Sequence, residues 1–225
     1  MTQAPLYLQP IHAQPGFYAD FIGRIPGVSV DTDREATVNR LQPAHEARVR
    51  ELGFDWSQLH RAEQIHSAEI AVIGQGDAAP TWPQVDGLIT DQSDVLLGIY
   101  VADCGAVYIS DPVKRVVALL HSGKKGSEEN ITGKAILIMK ERFGCRPADL
   151  QVALAPCIRP PAYEVDFAAE IQNQALAAGV PVEQFTDCHI CTTSDLEQYY
   201  SYRVEKGSTG RMLALLGMNQ ENGEA

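Results

Sequence analysis

Long apolar runs are missing from this 225-residue chain. No stretch approaches the roughly 20 residues that cross a bilayer, and the N-terminus has neither the basic nor the apolar region of a secretory signal. A membrane is therefore not an expected partner, and the expected location is cytoplasmic. Positive charge is also scarce: 18 Lys and Arg stand against 29 Asp and Glu, a formal net charge of −11. Nucleic-acid grooves and anionic membrane surfaces reward clustered cations, so nucleic acid is not expected either, and a small-molecule ligand fits better. Cysteine is sparse and odd in number, five in all. That is not a disulfide framework, and thiols free for metal binding or catalysis are the better expectation. Internal repeats and low-complexity segments are absent.

What the chain has in quantity is apolar residue, 45 % of the total, enough to bury the core of one domain over 1–225, with 1–5 and 219–225 expected to fray. β-Branched and aromatic runs at Val95 to Val101, Ala106 to Ile109 and Arg115 to Leu120 predict a meander whose strand ends carry Cys104 and His121. Arg61 to Ile73 alternates and predicts a strand with His66 near its middle; Val85 to Thr90, Leu150 to Ala155, Cys188 to Thr192 and Met212 to Leu216 predict others. Leu6 to Tyr18 reads as an edge strand and a loop. Helices are expected over Glu35 to Leu52, interrupted by Pro43, over Glu128 to Phe143 with Gly144 as its stop, and over Glu164 to Ala178; Ser194 to Tyr200 reads as a capped helical turn. Helices alternating with strands indicate an α/β (α+β) fold, a mixed sheet with helices on its faces.

Chemistry-bearing residues fall into two groups. His66, Cys104 and His121 offer two imidazoles and a thiolate, the donor types of a catalytic zinc site with an open fourth position. The same types suit blue copper, which needs a weak axial methionine; Met1, Met139, Met212 and Met218 offer no obvious candidate. A metal-free hydrolase is a third possibility, with Cys104 as nucleophile, His121 as base and Asp103 as orienter. A strand cysteine is also commonly a small buried hydrophobe. Six histidines in all are too few for a multicopper cluster, and His12, His45 and His60 read as surface polar residues. Cys188-His-Ile-Cys191 and Pro156-Cys157 complete no zinc-deaminase signature and read as incidental semi-buried thiols. The second group is cationic: Arg24, Arg40, Lys124, Lys125, Arg203 and Arg211, several in Gly-rich turns suited to holding an anion.

Ten segments, in order, carry a resemblance: Arg24-Ile-Pro-Gly-Val-Ser29, Asn39-Arg40, Gln64-Ile-His-Ser67, Asp86-Gly-Leu-Ile-Thr90, Ala102-Asp-Cys104, His121-Ser-Gly123, Tyr163-Glu-Val165, Cys191-Thr192, Ser201-Tyr-Arg203 and Thr209-Gly-Arg211. Together they resemble the YfiH/laccase-domain family, also called polyphenol-oxidase-like. The resemblance implies a layered sandwich of mixed β-sheets with helices on the outer faces, and metal ligands at His66, Cys104 and His121. It implies a zinc-dependent purine nucleoside phosphorylase, with adenosine deaminase and methylthioadenosine phosphorylase activities in some members, acting on a purine nucleoside and phosphate. Copper-dependent polyphenol oxidation and non-catalytic metal or nucleotide binding are the alternatives. On this basis Asp103, Cys104 and His121 are expected to be catalytic, and Arg24, Arg203, Arg211 and Lys125 to bind substrate or phosphate. A monomer or a homodimer is expected. Where the family usually has His-Ala-Gly-Trp-Arg-Gly, this chain has His121-Ser-Gly-Lys-Lys-Gly126, losing an indole and exchanging a planar guanidinium for an ammonium. Ser67 likewise stands where glycine is usual.

Overall fold

Strands covered on both faces need apolar side chains at nearly every position. Four seven-residue runs meet that demand in the computed structural model, which describes residues 4–77 and 79–219. A 3-10 turn (Leu6–Leu8) and a one-turn helix α1 (Gln9–His12) lead into β1 (Phe17–Ile22) and the long helix α2 (Arg34–Glu51). Then come β2 (Leu59–Ala62), β3 (Ile70–Ile73), β4 (Thr81–Trp82), β5 (Gly87–Thr90), β6 (Val95–Val101), β7 (Gly105–Asp111) and β8 (Val116–Ser122). Helices α3 (Lys124–Glu128) and α4 (Ile131–Phe143), β9 (Gln151–Leu154), α5 (Phe167–Ala177), β10 (Phe185–Asp187) and β11 (Met212–Met218) complete the chain.

The strands form a five-stranded sheet, β1-β11-β6-β2-β4, and a six-stranded sheet, β10-β9-β7-β8-β5-β3. Alternation along each strand sorts its side chains into layers. Leu97, Ile99, Met212 and Ala214 cluster with Ala106, Tyr108, Val117 and Leu119 between the sheets. Their neighbours Leu96, Tyr100, Leu213 and Leu215 pack with Val49 of α2, while Val107, Ala118 and Leu120 pack with Ala135 and Met139 of α4 and Ile171 of α5. The result is the layered α/β/β/α sandwich that the resemblance implied.

Several local expectations change. β6 and β7 are not neighbours in a meander: the chain leaves one sheet at Val101 and enters the other at Gly105, and only β7 and β8 form a hairpin. Runs that are apolar on both faces suit either sheet, so periodicity could not assign them. The predicted strand over Arg61 to Ile73 is two short strands, one in each sheet, with His66 in the loop between them at φ 60°. Helix α2 runs unbroken through Pro43, which lies on the exposed face opposite buried Leu41, His45 and Val49; there solvent can satisfy the carbonyl left without a donor. The expected helix over Glu128 to Phe143 is split by Asn130, which takes a left-handed conformation and caps α4 by accepting from Gly133 N; Gly144 ends α4 as anticipated. Leu6 to Tyr18 is mostly helical, with the edge strand starting only at Phe17. Cys188 to Thr192 contributes one isolated bridge, Cys191 to Cys157, and helix is confined to a 3-10 turn at Thr192–Ser194. Of the termini expected to fray, Ala4 O accepts from Gln9 Nε2 and Asn219 N donates to Gly16 O; 1–3 and 220–225 lie outside the described residues. No described helix is long and apolar enough to cross a membrane.

This topology brings many strand ends to one place. β2, β4 and β6 are parallel, so their C-terminal ends share one edge of the first sheet. β3, β5 and β7 start at one edge of the second sheet, where β8, antiparallel to β5 and β7, finishes. The three crossings from the first sheet to the second, carrying His66, Asp86 and Asp103-Cys104, therefore converge beside His121 near the end of β8.

His45 and His60 correct the expectation of surface histidines. His60 is buried and its Nδ1 accepts from Trp82 Nε1 at 3.2 Å, while His12 is half-buried beside Tyr18. His45 is fully buried beside Tyr100, with neither ring nitrogen hydrogen-bonded among the described residues. Burial lowers its pKa from 6.5 to about 4, because a charged imidazole there would lose its hydration. The unfolded chain takes up this proton near pH 6.5 and the folded one only near pH 4, so stability is lost as the pH falls through that window. The loss is roughly 3 kcal/mol in total. Denaturant unfolding between pH 7 and 4 should show a decline of that size that His45→Leu removes; parallel declines in both proteins would assign it to other groups.

Candidate active site and metal centre

Asp86, fully buried at the entry to β5, organises the convergence. Its Oδ2 accepts from Ile65 N, Ser67 N and Ser67 Oγ, at 3.2, 2.7 and 2.8 Å. Its Oδ1 accepts from His66 N at 3.0 Å and pairs with His121 Nδ1 at 2.8 Å. A left-handed conformation costs a non-glycine residue of order 1–2 kcal/mol, and at His66 these bonds hold it. Asp86 also binds His121 through the main chain, its carbonyl accepting from His121 N at 2.7 Å.

The ligand atoms of His66, Cys104 and His121 lie within 4.8 Å of one another, and the two imidazole rings meet edge to face at 4.9 Å between centroids. Gly123 makes room for the sulfur: a Cβ there would come within 2.6 Å of Cys104 Sγ. Burial alone would push the Cys104 thiol up; the charge of His121 and hydrogen bonds to both histidines outweigh it and bring the pKa down to about 6. Burial opposes charge on His121, but the Cys104 thiolate and the Asp86 carboxylate raise its pKa to about 9. Asp86 itself resists protonation: burial pushes it up, yet His121 and Ser67 hold it down to about 2. The donor set fits a divalent metal of borderline softness, and a carboxylate behind a ligating imidazole fixes its tautomer and orientation. Without a metal the same pair is a thiolate beside an imidazolium, the state of a nucleophilic cysteine. The orienter of His121 is Asp86, not Asp103.

The trio lines a cavity of about 770 Å³. Its walls include Tyr100, Tyr163, Phe167 and Tyr202, and its cations are Arg34, Lys124, Arg203, Lys206 and Arg211. Of the residues expected to bind substrate or phosphate, Arg203 and Arg211 line this cavity. Arg24 and Lys125 do not. Arg24 stacks on Tyr200, pairs with Glu205 at 2.7 Å and faces a separate groove, where it braces the loop before β11. Lys125 is exposed and lies 3.7 Å from Glu129; successive residues on a helical turn point about 100° apart, so only Lys124 reaches the cavity. Asp103, at φ 84°, is locked in place by its contacts: its carboxylate accepts from Thr192 Oγ1 at 2.6 Å, Ser201 Oγ at 3.1 Å and Arg203 N at 2.7 Å. It positions the 201–203 loop and makes no hydrogen bond to His66 or His121 among the described residues. Cys157, Cys188 and Cys191 are free thiols outside the cavity, and burial raises the pKa of Cys188 to about 11 and that of Cys157 further. Met139, Met212 and Met218 are buried in the core and none lines the cavity, while Met1 lies outside the described residues. Asp86, Arg34 and Lys206 are among the site residues that spacing did not single out. Asp86 stood within a quoted motif, and only its position before a strand start hinted at a role.

A sequence profile of the family described as multi-copper polyphenol oxidoreductase laccase matches residues 27–174 and 165–219. Purine nucleoside phosphorylase YlmD from Geobacillus stearothermophilus is 31 % identical over 233 aligned residues, covering 87 % of this chain and 83 % of that protein. A purine nucleoside phosphorylase from Deinococcus radiodurans is 30 % identical, covering 98 % and 95 %. The crystal structure of Geobacillus stearothermophilus YlmD superposes with a TM-score of 0.81 at 27 % identity, over 91 % of this chain and 93 % of that one. A hypothetical protein YfiH from Bacillus licheniformis shares the fold, with a TM-score of 0.81 at 22 % identity over 90 % and 93 %.

Asp86→Asn tests how far the site depends on the carboxylate, because an amide nitrogen cannot accept hydrogen bonds and leaves one set of donors unpaired. Affinity for added zinc, measured by competition with a chromogenic chelator, should fall by roughly 10- to 100-fold, with a loss of stability of about 3 kcal/mol. Unchanged zinc affinity would show that Asp86 supports the fold alone.

Proposed function

We propose that this chain, which belongs to the multi-copper polyphenol oxidoreductase laccase family, is a zinc-dependent purine nucleoside phosphorylase. The observation that carries the reading is the cavity: cations and aromatic walls surround a two-imidazole, one-thiolate cluster in a volume that suits a nucleoside. The names of the two curated relatives described above support it.

Phosphorolysis places a phosphate oxygen on C1′ of the sugar while the bond to the purine nitrogen breaks and its electron pair leaves with the base. Such a reaction is accelerated by positioning and by fixed charge. Lys124 and Arg203 hold the orthophosphate; Asp103 fixes the Arg203 main chain, and Glu164, 2.5 Å from the guanidinium, fixes its head group. Tyr163, Phe167 and Tyr202 supply apolar surface for the purine. His66, Cys104 and His121 would hold the zinc, with Asp86 keeping His121 in register. When bound, zinc supplies a Lewis acid that stabilises negative charge developing on the purine. Deamination of adenosine and phosphorolysis of methylthioadenosine belong to the same reading. Copper-dependent phenol oxidation is less well supported, since no described methionine reaches the cavity to serve as axial ligand.

Metal analysis of the purified protein, combined with release of hypoxanthine from inosine and adenine from adenosine, tests this. About one zinc per chain is expected, with base release that requires phosphate. His121→Ala should lose the metal and lower kcat/KM by at least about 100-fold, and Arg203→Ala should raise KM for phosphate. Zinc without base release or loss of the adenosine amino group would overturn the reading, as would a copper form with a visible absorption band that oxidises phenols.

A further inference from the structure

The cavity holds more positive charge than one phosphate calls for. Five cations line it and the only carboxylate among the lining residues is Asp103, whose oxygens are taken by Thr192, Ser201 and a main-chain N–H. Arg203 has Glu164 as counter-charge. Among the described residues Arg34 and Arg211 have none. Arg211 is half-buried and spends Nη1 on the carbonyls of Thr209 and Gly210, at 3.3 and 2.8 Å, which aims its guanidinium without neutralising it. Arg34 is exposed, makes no ion pair or hydrogen bond among the described residues, and lies close enough for its charge to act on Arg211 and the Tyr100 phenol. Burial and then the Arg34 charge lower the Arg211 pKa, as expected of like charges held together. Arg34 is also the first residue of α2, where the helix macrodipole disfavours a cation. An anion bound by both would offset these costs through charge-assisted hydrogen bonds to two planar forks.

A phosphate group carries about −1.5 to −2 at neutral pH, so Lys124 and Lys206, with the Glu164-paired Arg203 as a further donor, already match the orthophosphate of the proposed reaction. We propose that Arg34 and Arg211 form a second phosphate subsite, and that the preferred substrate is a purine nucleoside phosphorylated on its sugar, a nucleoside 5′-monophosphate. This rests on the phosphorylase reading. An orthophosphate oxygen bonds to C1′, the C1′–N9 bond breaks, and the proton that orthophosphate gives up is the one the purine nitrogen gains. The products are a free purine and ribose 1,5-bisphosphate, with the 5′-phosphate carried through unchanged on the Arg34–Arg211 pair.

Isothermal titration of the zinc-loaded protein with adenosine and with adenosine 5′-monophosphate, in the absence of orthophosphate, reads the subsite without turnover. The monophosphate should bind at least about tenfold more tightly, and Arg34→Ala should remove about tenfold from that preference, with Arg34→Lys intermediate. Equal affinity of the wild-type protein for the two ligands would overturn the proposal. So would an Arg34→Ala variant that weakens both ligands alike, or one that raises KM for orthophosphate, which would make the pair part of the co-substrate site. Base release distinguishes the two levels: Arg34-dependent monophosphate binding with no base released from either compound defeats the phosphorylase reading and leaves the subsite standing, whereas nucleoside phosphorolysis without monophosphate preference defeats the subsite alone.

Discussion

The Asp86 carboxylate takes three main-chain N–H donors and one hydroxyl from the His66 loop, and with its other face holds the His121 imidazole. Two of the three candidate ligands thus depend on one buried anion, and without it His66 would have no reason to keep its left-handed backbone. A buried charge is tolerated only when it is paired and hydrogen-bonded, and here the pairing partner is itself part of the site. Ser67, an apparent departure at a position where glycine is usual, has a use in this arrangement: its hydroxyl is one of the donors to Asp86.

The third ligand is placed by the crossing between the sheets. Asp103 and Cys104 form the corner between β6 and β7, and Asp103 fastens that corner to Thr192, Ser201 and Arg203 on segments nearly a hundred residues away. The same carboxylate holds the Arg203 loop beside the cavity that it lines. Charge follows the same division. The protein as a whole is acidic, yet cations from α2, α3 and the loop before β11 surround one cavity, a field that concentrates an anionic ligand where the overall charge would repel it.

Much of the fold was legible because its signals are local. Unbroken apolar runs marked β6, β7, β8 and β11, and Gly144 marked the end of α4. The failures came where two environments favour the same residues. His45 looked polar and sits in the core, because a lone imidazole on the inner stripe of a helix can be buried neutral. Pro43 looked like a break and lies on a wet helix face. Lys124 and Lys125 looked alike, and a 100° turn of helix separated a cavity cation from a surface one.

The amino-acid sequence by itself determined most of the element types, the donor chemistry of His66, Cys104 and His121, and the presence of cations in Gly-rich turns of an acidic chain, since each depends on residue type and short-range periodicity. Only the tertiary structure decided which cations share a cavity, that Asp86 and not Asp103 stands behind His121, and that Arg34 and Arg211 line that cavity together without a counter-charge among the described residues. These depend on the three crossings from the first sheet to the second and on strand directions within them. Contacts of that range are set by how the buried layers stack, which no single stretch of the chain encodes.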